Sequence, residues 1–300
     1  MNVINNIINS EFNEIIGNDD DIPIYVSKKF TRIKILVLGG GGIKGIAHIG
    51  AIKALEKLNI TKQIKTIVST SIGSLVGVMY TIGYTTDEMY SLSKKFNYEN
   101  LKQPNILNIL SNYGFDKGDG ITRFIKNMLK NKDFSEETTM NELFDIKHVY
   151  LNLISACVNT KKIHIISHIT EPNMPVYLAI RMSTSIPGYF APVIYKNKYY
   201  VDGGCLADYP MFLLENPENS IGIHLTQPVE ENNDLNRLDK YLLQVYECTK
   251  VGGALNNISG YEKYTVKVCS KNNITNFNIS LEEKIKLYNL GYNNVLKYFS

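Results

Sequence analysis

The sequence predicts an α/β fold: a single three-layer domain with a mostly parallel central sheet and helices on both faces. Three observations predict it. First, the short apolar run Ile33 to Leu38 reads as a strand buried on both faces. Second, the first hundred residues alternate strand, helix, strand, helix, the order of a parallel sheet with crossover helices. Third, 300 residues with 44% hydrophobic and 20% charged side chains can fill one large core.

Along the chain, Val3, Ile4, Ile7, Ile8, Phe12, Ile15 and Ile16 recur at helical spacing, with Gly17 as a stop. They predict an N-terminal helical extension over residues 1–30, ahead of one domain over 31–300. The segment lacks the Lys/Arg-rich face of an interfacial helix, which favours packing on the domain. Asn18 to Pro23 is a polar linker. After the strand at 33–38 comes the four-glycine turn Gly39–Gly42, then a helix over 43–58 through Ile46, Ile49, Ile52 and Leu55. A second strand spans 66–70, and helices follow at 72–82 and 86–96. Residues 100–118 are irregular. Their Ile106, Leu107, Ile109, Leu110 and Phe115 offer a lid or an apolar pocket wall, or a loop packed on the core.

Helices are then expected at 119–131 and 136–144, and paired strands at 149–158 and 163–167. A helix over 176–184 precedes a hairpin of 193–195 with 199–201 around Asn197. Strands at 220–225 and 264–269 and helices at 234–255 and 281–298 complete the chain.

Composition narrows the function. A net charge of +3 is too small to argue for nucleic acid, and no block of five or six like charges occurs. Pairs such as Lys28-Lys29, Lys94-Lys95 and Lys161-Lys162 fit solvated faces, or help on an anionic membrane. Cys157, Cys205, Cys248 and Cys269 form no C-x-x-C pair, so neither a zinc site nor a disulfide framework is expected. Met1–Gly17 lacks the layout of a signal peptide, and no stretch approaches a membrane span. The expected location is intracellular, in the cytoplasm or peripherally on a membrane. No calcium loop is present, and no metal or cofactor is expected.

Three features carry chemistry. Gly39 to Gly45 lies between a strand and a helix, where glycine amides and the helix N-terminus favour an anion. That anion is a phosphate or a transition-state oxyanion. Gly40, Gly42 and Gly45 also satisfy the dinucleotide pattern G-x-G-x-x-G. That reading wants an acidic residue at the end of the next strand, which ends instead in Ser69-Thr70-Ser71-Ile72-Gly73. Ser71 there is a nucleophile on a strand-to-helix elbow or a helix cap. Asp202-Gly203-Gly204 follows an apolar strand and is a cleft carboxylate or a plain turn.

In this order and spacing, the three features resemble the patatin-like phospholipase family. Gly40-Gly41-Gly42-Ile43-Lys44-Gly45 resembles its Gly-Gly-Gly-x-Arg/Lys-Gly motif, and Asp202-Gly203-Gly204 its Asp-Gly-Ala/Gly motif. The stretch Arg181 to Pro192 resembles its Ser-x-x-Pro-x-x-Phe-x-Pro segment. The resemblance covers roughly Lys34 to Pro210. It implies a patatin-like fold and acyl-lipid hydrolysis of phospholipase A or lysophospholipase type, at a membrane or micelle surface. It also implies a Ser71–Asp202 dyad without metal. Gly40, Gly41, Gly42 and Ile72 would form the oxyanion hole, and Lys44, Gly45, Gly73 and Gly203 would support it. The sequence departs from Gly-x-Ser-x-Gly at one place, where Ser69 replaces the first glycine.

Other readings stand beside this one: a dinucleotide-binding protein, a catalytically weak or inactive lipid-binding module, and an esterase or thioesterase on soluble substrates. His48, His148, His164, His168 and His224 are rivals for the base, and an essential histidine would turn the dyad into a triad.

Overall fold

A computed structural model describes residues 12–16, 24–27, 33–95, 105, 107–228, 231, 235–271 and 279–300. Strands β1 (Phe12–Ile16) and β2 (Ile24–Ser27) pair antiparallel, with Ile16 opposite Ile24. Phe12–Ile16 is therefore a strand and not the end of the helix expected over 3–16; residues 1–11 lie outside the described residues. The reason is local. Ile15, Ile16, Ile24 and Val26 are β-branched and favour an extended chain.

The main sheet is built from β3 (Ile35–Leu38) and β4 (Thr66–Thr70), with later strands on either side. A small separate sheet pairs β5 (Gly114–Asp116) with a strand some seventy residues on. The main sheet continues with β6 (Tyr150–Cys157) and β7 (Lys162–Ile166). Then come β8 (Gly188–Phe190), the partner of β5, and the hairpin of β9 (Val193–Tyr195) with β10 (Lys198–Asp202). β11 (Ser220–Thr226) and β12 (Thr265–Cys269) close the other side. The order is β12-β11-β3-β4-β6-β10-β9, with β7 also on β6. β12, β11, β3, β4 and β6 run parallel, and β7, β9 and β10 make antiparallel pairs.

The registers on β6 position the site. β4 pairs with Tyr150–Ile154 of β6, and β7 with Leu153–Cys157, so β4 and β7 flank opposite edges. β10 pairs with Ser155–Cys157, where β7 holds the other edge, so β10 shares the edge used by β4. β4 runs parallel to β6 and stops opposite Ile154. β10 runs antiparallel and stops opposite Ser155. The carboxyl ends of β4 and β10 therefore meet head to head, and Ser71 and Asp202 stand at that junction.

Alternation along the strands divides the core. Leu36 and Leu38 join the larger cluster under the helices Ile46–Lys57, Ile72–Ile82 and Val176–Ser183, while Val37, Val68 and Ile154 join Ala207, Tyr209 and Met211 on the opposite face. The C-terminal helix Leu281–Phe299 crosses Ile46–Lys57 at close range. A Cβ at Gly50 would strike the Tyr288 carbonyl, and one at Gly291 the Ala47 carbonyl.

Candidate active site

Ser71 follows β4 and precedes the elbow helix Ile72–Ile82. Its φ of 55° and ψ of −124° lie in a region that a non-glycine residue rarely occupies, at a cost of about 1–3 kcal/mol. The neighbourhood holds this turn closed. The Ser71 N–H donates to Ser183 Oγ at 3.0 Å, and Ser183 Oγ in turn donates to the Ile154 carbonyl at 2.7 Å. Gly73 lets the helix press on the sheet, since a Cβ there would strike the carbonyls of Leu38 and Gly39.

Ser69, the residue in place of the expected glycine, is fully buried. Across from it, a Cβ at Gly77 would crowd Ile67 Cγ2 and only touch the Ser69 hydroxyl. That hydroxyl has no hydrogen-bond partner among the described residues. The close approach of helix to sheet is thus provided by Gly73 and Gly77 on the helix side.

The Ser71 hydroxyl donates to Asp202 Oδ2 at 2.6 Å, and the Gly204 N–H donates to Asp202 Oδ1 at 2.7 Å. Asp202 is fully buried, and burial pushes its carboxyl from the ordinary 3.8 up to about 6. The hydrogen bonds from Ser71 and Gly204 and the nearby Lys250 limit that rise. Gly203 is required because a Cβ would strike the Ile154 carbonyl.

The glycine loop crosses the same junction. The N–H groups of Gly41, Gly42 and Ile72 make no hydrogen bond among the described residues. Gly42 has φ of 54°, which turns the chain into the short 3-10 segment Gly42–Gly45. Gly40 differs from the expectation. Its N–H donates to the Asp208 carbonyl at 2.8 Å, so it anchors the loop and is not free for an oxyanion. At Gly45 a Cβ would meet the Ile72 side chain, so the glycine lets the loop and the elbow approach closely. Lys44 is buried and donates to Gln227 Oε1 at 2.9 Å; burial and the nearby Lys250 bring its ammonium down to about 8.

Behind the loop lies a buried polar group that sequence reasoning missed. Lys250, from the long helix Leu238–Asn257, pairs with Asp208 at 3.1 Å, and Gln227 donates to Glu247 Oε2 at 3.1 Å. Tyr246, on the same helix, is fully buried; burial and the carboxylates of Asp202 and Asp208 push its hydroxyl well above the ordinary range. Asp208, six residues past Asp202, was within reach of a motif search. Ser183 lay inside a segment already singled out by resemblance. Lys250 carries no local signal, because it reaches the site only through tertiary packing.

None of the five histidines is hydrogen-bonded to Ser71 or Asp202. His48 Nε2 lies 2.8 Å from the Gly39 carbonyl, and burial brings the ring down to about 4. His224 stacks on Tyr209 and His168 on Phe144, while His164 lies 3.4 Å from Glu171. His148 terminates a helix in the left-handed conformation.

An apolar cavity of about 160 Å³ opens beside Ser71. Ile46, Leu75, Met79, Met89, Phe124 and Phe190 are among its walls. Leu107, Ile109, Leu110 and Phe115, offered as a lid, a pocket wall or a core-packed loop, are not among its walls. Leu107–Asn112 forms a short helix instead, and Ile106 lies outside the described residues.

A strained serine on a strand-to-helix elbow, a buried carboxylate and a glycine loop thus meet at one junction of an α/β fold. A family model described as patatin-like phospholipase matches residues 36–214, more than half of the chain. The chain belongs to the patatin-like phospholipase family. It is 30% identical over 195 residues to a protein of Invertebrate iridescent virus 6 named probable lipid hydrolase 463L, covering 63% of this chain and 66% of that one. It is 30% identical over 177 residues to lysophospholipase NTE1 of Meyerozyma guilliermondii, covering 59% of this chain but 11% of the relative. The chain thus spans just under two thirds of the viral relative and about a tenth of the other. The crystal structure of VipD from Legionella pneumophila shares the fold, with a TM-score of 0.56 at 15% identity over 95% of this chain and 69% of that one. Among the described residues, no helix is long and apolar enough to cross a membrane.

Proposed function

We propose that this protein is a lipid acyl hydrolase of phospholipase A or lysophospholipase type that works through Ser71 and Asp202. Ser71 Oγ attacks the ester carbonyl while its proton passes to Asp202 Oδ2. The N–H groups of Gly41, Gly42 and Ile72 hold the resulting oxyanion. The tetrahedral intermediate collapses to an acyl-enzyme, and the protonated Asp202 gives its proton to the departing alcohol. Asp202 then takes a proton from a water that attacks the acyl carbonyl, and returns that proton to Ser71 Oγ as the fatty acid leaves. The apolar cavity receives the acyl chain.

The observation that carries this reading is the 2.6 Å hydrogen bond from Ser71 to Asp202, at the mouth of an apolar cavity and with no histidine bonded to either. The names of the relatives support the choice of a lipid ester. Ser69 in place of the elbow's first glycine is the feature that favours an inactive lipid-binding module. Against it, Ser69 is buried and Ser71 keeps the strained elbow conformation, which supports the hydrolase reading.

The test is hydrolysis of a labelled phospholipid in micelles by the wild type, Ser71→Ala and Asp202→Ala, with calcium chelated. Fatty acid release by the wild type alone is expected. A folded wild type that is inert across head groups and acyl esters would sink the proposal.

A further inference from the structure

The carboxyl edge of the sheet carries an apolar surface that the proposed chemistry does not use. β6 runs past the junction of Ser71 and Asp202 and ends in a hairpin tip beside the tip of the β9–β10 hairpin. Just inside these tips, Val158 lies beside Tyr199, whose carbonyl accepts the Val158 N–H, and Tyr199 pairs with Ile194. Directly opposed residues of antiparallel strands project to one face, so Val158, Tyr199 and Ile194 form a cross-strand row. Tyr113 packs its ring against Tyr199 at 5.9 Å between centroids. Tyr113 also ends the helix Leu107–Asn112, where Leu107 and Leu110 stand three residues apart on one face.

The row and the helix are open to solvent. Leu110 is 83% exposed, Leu107 66%, Tyr113 and Ile194 63% each, and Val158 51%. Single exposed apolar side chains are ordinary, but a contiguous group marks a contact surface.

Charge identifies the partner. Lys161, Lys162 and Lys198 stand exposed at the two tips and form no ion pair among the described residues. Lys196 beside them is taken up by Glu171 at 2.7 Å. The fringe of the apolar surface is therefore cationic. Its position matches the site as well. Val158 lies three residues past Ser155, the residue opposite Asp202, or about 10 Å farther along the same edge. The short helix is joined to the cavity through β5, which pairs with β8, and Phe190 of β8 is a cavity wall.

We propose that this surface docks the protein on an anionic lipid bilayer, with Leu107, Leu110, Tyr113 and Ile194 entering the interface and Lys161, Lys162 and Lys198 at the phosphate level. The inference deepens the lipid-hydrolase reading by naming how the site meets its lipid. Each lysine at an anionic surface contributes about a five-fold gain in affinity.

The test uses the full chain carrying Ser71→Ala, so that bilayers stay intact, sedimented with phosphatidylcholine vesicles with and without phosphatidylserine. Binding is expected to need phosphatidylserine, and to fall roughly 100-fold when Lys161, Lys162 and Lys198 are all changed to Gln. Leu110→Asp with Ile194→Asp should abolish it. On an active Ser71 background, the same surface variants should keep turnover of a soluble short-chain ester and lose turnover of vesicle lipid. Equal vesicle binding by parent and variants would overturn the docking face. So would a dimer in solution that Leu110→Asp dissociates, because it assigns the surface to a second copy. An inert wild type that still binds phosphatidylserine vesicles through these lysines would sink the hydrolase reading and leave the docking face standing.

Discussion

Lys250 Nζ lies 3.1 Å from Asp208 Oδ1, with both side chains buried beneath the glycine loop. The Asp208 carbonyl also accepts the Gly40 N–H, so the pair ties the loop to the long helix Leu238–Asn257. Burial alone would bring Lys250 down, but Asp208 and Glu247 more than offset that and hold its ammonium above the ordinary range. Removing one partner leaves an uncompensated buried charge. Asp208→Asn and Lys250→Met should each destabilise the fold by about 3–5 kcal/mol in urea unfolding, while the double variant should lose far less than the sum. Additive losses would mean that the two charges do not depend on each other.

Asp202 should set the acid limb of activity. Burial raises its carboxyl to about 6, so kcat/KM should fall below about pH 6 with one ionisation. A limb removed by a histidine substitution would point to a triad instead. The same shift has a stability consequence of definite sign. Because the folded value exceeds the ordinary 3.8, the folded state binds this proton more tightly. The contribution is fully present below about pH 4 and is lost as the pH rises through about 6. Asp202→Asn should therefore be inactive yet more stable than the parent at neutral pH, by on the order of 2–3 kcal/mol, with the difference vanishing near pH 4. Thermal unfolding across that range measures it.

Ser69 keeps a buried hydroxyl without a partner among the described residues. Ser69→Ala should raise stability by up to about 1–2 kcal/mol in urea unfolding, because it removes an unmatched polar group. Turnover should be unchanged. A loss of activity would show that the hydroxyl has a role at the elbow.

Gly45 and Ile72 set the spacing between the glycine loop and the elbow. A Cβ at Gly45 would meet Ile72 Cγ1, so Gly45→Ala should push the loop amides away from the Ile72 amide. We expect kcat to drop by about 10²–10³, the usual effect of losing one oxyanion donor. Ile72→Ala in the same chain should restore much of it by clearing the space. Failure of that rescue, with the fold intact by circular dichroism, would locate the damage in the backbone. Gly73→Ala offers no such remedy, since its neighbours are the Leu38 and Gly39 carbonyls.

Much of the framework was legible because local patterns wrote it. The strands at β3 and β4, the helices after them and the β9–β10 hairpin follow from apolar runs, helical spacing and a two-residue turn. Ser71, Asp202 and the glycine loop stood out because each breaks a buried strand with small residues. The N-terminal segment departs from its helical spacing at Phe12–Ile16, where the isoleucines' preference for extended chain wins. Gly40 was grouped with its neighbours because nothing in a glycine run shows which amide is already bonded. Lys250 was invisible for a different reason: a lysine on a helix reads as a solvated face until a partner from 42 positions earlier is seen beneath it.

The head-to-head meeting of β4 and β10 on one edge of β6 would make the proposed Ser71–Asp202 catalysis a late product of folding. Ser71 and Asp202 are 131 residues apart, and nothing local holds them together. Their encounter requires β6 to accept β4 along its first half and β10 along its second. A chain that has formed only the β3–β4 unit would own the nucleophile without its base. During synthesis or refolding, the protein would thus stay chemically silent toward the lipids around it until the last of these pairings closed, and recovered turnover would serve as a clock for completed topology.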